Sequence, residues 1–191
     1  IGSTQIQGRC TMSGNLCNAS PAAASVPALV AASAQAKLAG PDGSRMVPVE
    51  DVPQGPGKTS LLAGEFIEAL VIPKPGTRSG DAYLRFTPRT EMDIAVVGVG
   101  VQISIDDGGT VQSARVALGA VAPTVILVDE AAQAIIGTKL DDATLDKLDA
   151  ICAAASNPID DKRGTVEFRK QVAGVLASRA ARIADNRAGG E

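Results

Sequence analysis

Residues able to do chemistry are few in this chain, and their scarcity is informative. The 191 residues contain no histidine and three cysteines, Cys10, Cys17 and Cys152. Without histidine there can be no Ser-His-Asp or Cys-His nucleophile and none of the common zinc sites. Cys10 and Cys17 are not followed by a second closely spaced pair, so neither zinc nor an iron–sulfur cluster is supported. Redox chemistry would have to come from a bound cofactor. The acid pairs Asp106-Asp107, Asp141-Asp142 and Asp160-Asp161 have the right groups for general acid–base work. Each stands at a turn or a helix start, where Asp has a structural task. The stretch "PQGPGKTS", Pro53 to Ser60, approaches a phosphate-binding loop, but Val52 occupies the position of its first glycine. An ordinary surface turn is expected there.

The run "TMSGNLCNASPAAA", Thr11 to Ala24, is the other candidate. Thr11, Ser13, Asn15, Asn18 and Ser20 offer hydroxyls and amides, and Gly14 allows close backbone approach. A polar, uncharged segment of this kind suits either a plain turn or contact with an uncharged ring system or a pyrophosphate. Arg85 and Arg89 share a strand face if the strand is regular, although Pro88 interrupts it. They suit surface ion pairs or an anion contact.

These groups must be carried by a mixed α and β chain. Ser25 and Pro27 open a short helix with Val26, Leu29 and Val30 inward. "AKLAGPDGSRMVPV" reads as a hairpin turning at Asp42-Gly43, and "GEFIEALVIP" as a strand stopped by Pro73. "PKPGTRSGD" reads as a connector. Beyond it, Asp106-Asp107-Gly108-Gly109 joins two β-rich runs, with Val97, Val99, Val101 and Ile103 on one face. Three helices follow: "VDEAAQAIIG", "DDATLDKLDAICAAASNP" and "TVEFRKQVAGVLASRAARIAD". The last is expected to bury Phe168, Val172, Val175, Leu176 and Ile183, with Arg169, Lys170 and Arg182 off that stripe.

Composition narrows the class. Apolar residues are 45% of the chain but aromatics only 2%, so the core must be mostly Ala, Val, Leu and Ile. A net charge of −3 without a basic cluster gives no expectation of nucleic acid. No apolar run reaches the length of a membrane span, roughly 18 residues. Unpaired cysteines fit a cytoplasmic location. The initial Ile1 suggests a fragment or a processed chain.

The opening segment, "GSTQIQGRCTMSGNLCNASPAAASVPALVA", resembles the second flavin-binding stretch of the FAD-binding medium subunit of the molybdenum hydroxylases, the family of xanthine dehydrogenase and aerobic carbon monoxide dehydrogenase. Three further segments resemble the same family in the same order: "GPGKTSLLAGEFIEALVIP", "AYLRFTPRTEMDIAVVGVGVQI" and "NPIDDKRGTVEFRKQVAGVLASRA". The chain departs from the family pattern at Gly8 for Asn, Ser13 for Gly, Ala24 for Asp and Phe168 for Tyr. The resemblance implies an α+β fold. Residues 1–76 would be the second half of an FAD-binding domain, a mixed or antiparallel sheet with helices. Residues 77–191 would be a carbon monoxide dehydrogenase flavoprotein-like domain, an antiparallel sheet on a three-helix bundle. It also implies that Thr11, Ser13, Gly14, Asn15, Cys17, Asn18 and Ser20 contact FAD, with Ile67 and Arg85 near the flavin ring. An oxidoreductase subunit of this kind relays electrons from 2Fe–2S clusters on a small subunit through FAD to an acceptor such as NAD, quinone or oxygen. Substrate is oxidised on a large molybdopterin-binding subunit. A separate N-terminal segment would complete the FAD site. The other expectation is a docking fragment that binds no FAD by itself.

Overall fold

The computed structural model describes residues 1–89 and 93–189. The "TEM" of the third resembling segment and the last two residues lie outside the described residues.

The N-terminal half begins with three short helices, α1 (Thr4–Gln7), α2 (Met12–Cys17) and α3 (Val26–Ala31). Strands β1 (Gln35–Gly40) and β2 (Gly43–Pro48) form the hairpin expected at Asp42-Gly43. Gly43 has φ of 116°, a conformation that favours glycine. A 3-10 turn, Val49–Asp51, leads to the small hairpin of β3 (Pro53–Gly55) and β4 (Lys58–Thr59). The glycine- and lysine-containing stretch is therefore a turn, as its missing first glycine implied. Strand β5 (Phe66–Val71) then completes a three-stranded antiparallel sheet in the order β2-β1-β5.

The C-terminal half is built on β6 (Ser79–Phe86), β7 (Val97–Ile105), β8 (Val111–Gly119) and β9 (Ile126–Leu127), antiparallel in that order. Helices α4 (Asp129–Ile135), α5 (Asp142–Ala155) and α6 (Val166–Gly189) follow. The acid pairs do what their positions foretold. Asp106 accepts the N–H groups of Gly108 and Thr110 at the hairpin turn. Asp141 caps α5 through Thr144, and Asp160 accepts the Val166 N–H at the start of α6. Cys152 is buried in α5, where burial, with a smaller push from Asp149, raises its thiol to about 12. It is a packing residue.

The sheet is covered on both faces. Val97, Val99, Val101 and Ile103 face α5 and α6 in one core. On the other face α3 lies so close that a Cβ at Gly100 would sit 2.4 Å from the Pro27 carbonyl oxygen. Long α6 departs from expectation. Its inward face is Arg169, Ala173, Gly174, Ala177, Ala180, Ala181, Ala184 and Ala188. Val172, Val175, Leu176 and Ile183 are only half-buried at its flanks, and Phe168 is exposed, edge-on to Phe86. The reason is distance. At Gly80 of β6 a Cβ would fall 1.9 Å from the Ala184 carbonyl oxygen, so the helix approaches the sheet more closely than large side chains permit. No helix among the described residues is long and apolar enough to cross a membrane.

Candidate functional site

Thr11 to Ala24 is less of a loop than its composition implied, because α2 occupies its first part. Thr11 is the N-cap, and its Oγ1 accepts the Gly14 N–H at 2.9 Å. A Cβ at residue 14 would also lie 2.9 Å from that oxygen. Gly14 thus makes room for the cap of its own helix. Asn15 Oδ1 accepts the Ser25 N–H at 3.0 Å and the Ser25 hydroxyl at 2.7 Å, tying α2 to the start of α3. The Asn15 amide NH2 remains unspent, and the side chains of Ser13 and Asn18 make no hydrogen bond among the described residues. Cys17 is half-buried, and burial pushes its thiol up, so it stays neutral near pH 7.

The next residues are clamped from both sides. Ala19 has φ of 47°, and its carbonyl accepts the Gly57 N–H from the β3–β4 turn. Ser20 Oγ accepts the Ala22 N–H at 3.3 Å, and the Pro21 carbonyl accepts the Ala120 N–H at 2.7 Å. A second tie crosses the same seam. Arg115 of β8 donates to the Val30 carbonyl at the end of α3 and to Glu50 at 2.7 Å. A cation at a helix C-terminus is favoured by the exposed carbonyls there.

Strand β5 lies beside α2, and Ile67 is half-buried against the N-terminal core. Six of the candidates, Thr11 to Asn18, are therefore gathered on one short element. Ser20 follows directly, and Ile67 is on the neighbouring strand. Arg85 is in the other half, exposed on β6 opposite Gly98. It shares its strand face with Tyr83, whose phenol is pushed up by burial. A Cβ at Gly98 would meet the Tyr83 Oη at 3.1 Å, and that face is the one toward α3. Arg89 lies beyond the end of the strand and pairs with Asp93 at 3.4 Å.

Sequence reasoning missed a cleft of about 440 Å³ between the halves. One wall is Ser20, Pro21, Ala22 and Pro56, and the other is Ala120, Ala122 and Pro123. Its base holds Arg169, 3% exposed, which donates to the carbonyls of Val96 and Ala120 and to Asp161 at 2.6 Å. The Asp161 carboxyl is held below its ordinary range, chiefly by the Arg163 backbone N–H and also by Arg169. The only sequence signal was the short spacing of Asp161, Arg163 and Arg169. Among the described residues no cluster of acids and thiols could hold a metal ion.

Residues 1–75 match the model of the FAD binding domain in molybdopterin dehydrogenase, and residues 82–184 match that of the CO dehydrogenase flavoprotein C-terminal domain. The chain belongs to this flavoprotein family. The medium chain of carbon monoxide dehydrogenase from Afipia carboxidovorans is 36% identical over 98% of this chain. The xanthine dehydrogenase FAD-binding subunit of Escherichia coli O157:H7 is 29% identical over 100% of it. The reconstituted CO dehydrogenase from Oligotropha carboxidovorans superposes with a TM-score of 0.92 at 34% identity, over 98% of this chain and 65% of that one. The α+β architecture is thus that of the family. The chain spans 65% of the length of both curated relatives.

Proposed function

We propose that this chain supplies the second half of the FAD site, and the C-terminal domain, of an oxidoreductase medium subunit. The observation that carries the proposal is the match of two family models, in order, to residues 1–75 and 82–184. The local chemistry fits FAD. Ser13, Asn18 and the Asn15 amide are polar, uncharged and, among the described residues, unspent along one short element. Ser3 Oγ, at the start of α1, is buried with no hydrogen-bond partner among the described residues.

In this reading Thr11, Ser13, Gly14, Asn15, Cys17, Asn18 and Ser20 present side-chain and backbone groups to the cofactor. The Thr11 cap fixes α2, and the Asn15–Ser25 bonds fix it to α3, so the donors are preorganised. Ile67 packs beside the ring and excludes water. Arg85 holds positive charge near it. Ala24 offers no carboxylate. FAD when bound supplies the electron chemistry that these side chains lack. The electron route of the family, from 2Fe–2S clusters on a small subunit through FAD to an acceptor such as NAD, quinone or oxygen, belongs to the same proposal. So do a large molybdopterin-binding partner, a separate N-terminal FAD-binding segment, a division of the chain at residues 76 and 77, and a cytoplasmic location.

The test is the visible spectrum of the purified protein with its partners, followed by acid release and identification of the flavin. Released FAD in near-equimolar amount is expected. A folded complex that releases no flavin would overturn the reading and leave a docking role.

A further inference from the structure

Helix α3 joins the two halves and is fixed at three points. Pro27 sits in a socket of glycines on the C-terminal sheet. A Cβ at Gly119 would lie 2.7 Å from the Pro27 ring, and one at Gly98, the cross-strand neighbour of Gly119, would touch the same ring at 3.7 Å. With Gly100 pressed against the Pro27 carbonyl, the helix has one pivot and little room to slide. Val26, Leu29 and Val30 of the same helix are buried in the N-terminal core.

The two ends of α3 are tied by side chains from different halves. At its start, Ser25 donates its N–H and its hydroxyl to Asn15 Oδ1 of α2. At its end, Arg115 Nε of β8 donates to the Val30 carbonyl at 3.0 Å. Arg115 Nη2 is committed to Glu50 Oε1 at 2.7 Å, which holds the guanidinium plane toward the helix. Glu50 Oε2 is buried with no hydrogen-bond partner among the described residues, so that carboxylate depends on Arg115. A helix of six residues is about 9 Å long, too short to absorb a tilt by bending. Ser25 and Val30 lie on opposite sides of the Pro27 pivot. A tilt released at Val30 therefore reaches Asn15 through Ser25.

We infer that Arg115 is a positioning residue for the cofactor. From the C-terminal half it sets the angle of α2 through α3, and with it the polar groups of Ser13, Asn15 and Asn18. The inference rests on the FAD reading of α2. It adds that FAD affinity depends on a side chain that the other half supplies.

The test is FAD titration of the deflavinated protein with its partners, followed by flavin fluorescence, beside hydrogen exchange of the same samples without flavin. Arg115→Met should raise the Kd for FAD about tenfold, and Arg115→Lys, which keeps one donor for the Val30 carbonyl, about threefold. Glu50→Ala frees the guanidinium to turn and should also weaken FAD about threefold; it carries the test if Arg115→Met does not fold. In an Asn15→Ala background the path is already cut, so Arg115→Met should add less than about twofold. Exchange should quicken at the Gly14, Asn15 and Ser25 amides and stay unchanged in α5 and α6. An unchanged Kd, an undiminished effect in the Asn15→Ala background, or exchange that rises equally in α5 and α6 would overturn the inference. Wild-type protein that binds no FAD would overturn the FAD reading and this inference with it. Exchange at α2 that Arg115→Met leaves unchanged would overturn this inference alone.

Discussion

The two halves of the molecule solve the burial problem differently. In the C-terminal half, β7 is covered on both faces, and its core closes around valines and an alanine-faced helix. Among the described residues, seven of the ten large exposed hydrophobic side chains lie in the N-terminal half: Ile6, Met12, Met46, Leu62, Phe66, Val71 and Ile72. Its sheet has one well-buried face, and its main helix borrows the other half's sheet as a floor. All the candidate cofactor residues except Arg85 belong to the half that buries less. The lesson is a division of labour: a scaffold that closes one face of its sheet with its own helices lends the other face to a partly open element whose polar groups face outward from that core.

Glycine substitutions break this comparison most sharply. Gly80→Ala forces a methyl into the α6 backbone, and Gly100→Ala forces one into the backbone at Pro27. Each should cost roughly 3 kcal/mol, at the upper end for overpacking. They should differ in place. Gly80→Ala should lower the urea midpoint of the whole fold. Gly100→Ala should raise hydrogen exchange in α3 and β1 before it affects α5 and α6. Equal exchange in both halves of the Gly100 variant would contradict the division.

Arg169→Met comes next. It removes one of the hydrogen bonds to Asp161 and leaves the carbonyls of Val96 and Ala120 without their guanidinium donor at the end of the sheet. Asp161 itself is exposed, so the cost is that of the unmet carbonyls, about 1 to 3 kcal/mol. Thermal unfolding should show it, and a loss below ~1 kcal/mol would mean that water replaces the guanidinium.

Asn15→Ala sharpens the comparison at the site. It removes the two bonds to Ser25 and should cost about 1 to 2 kcal/mol. Flavin content should fall further than the melting temperature predicts, because the loss loosens α2 specifically. If flavin and stability fall in parallel, Asn15 has only a structural role.

The smallest effect concerns acid. Glu65 on the N-terminal half is lowered to about 2, first by its hydrogen bond from Arg45 and then by the Leu62 N–H. A carboxyl lowered on folding stabilises the fold above its unfolded value. That contribution fades as pH falls from about 4.5 toward 2. The pair is exposed, so the contribution is small. Carbon-detected titration should place the Glu65 midpoint near 2, and Glu65→Gln should flatten the acid limb of stability. A midpoint above 4 would remove the effect.

Much of this was legible in the residues. Asp42-Gly43 and Asp106 to Gly109 make hairpins because turn geometry is chosen locally. Asp141 caps α5 and Val52 spoils the phosphate loop for equally local reasons. The uncharged polar run at Thr11 to Ser20 was visible as a candidate because its hydroxyls and amides suit either a turn or a ligand. Other features had no local signal. Gly14 was available to any partner in the sequence, and only the fold assigned it to Thr11. Phe168, Val172, Val175 and Leu176 form a helical stripe as good as the alanine one by periodicity. The choice between them fell to Gly80, about a hundred residues away, which lets α6 sit against β6 only through small side chains. The same holds for buried Arg169 and for the cleft above it, whose walls come from segments distant in the chain. Sequence by itself determined the turns, caps, strands and polar segment, because those depend on neighbours within a few positions. Tertiary structure decided which faces close and what remains open between the halves, because packing distance is set by pairs of residues the chain brings together only on folding.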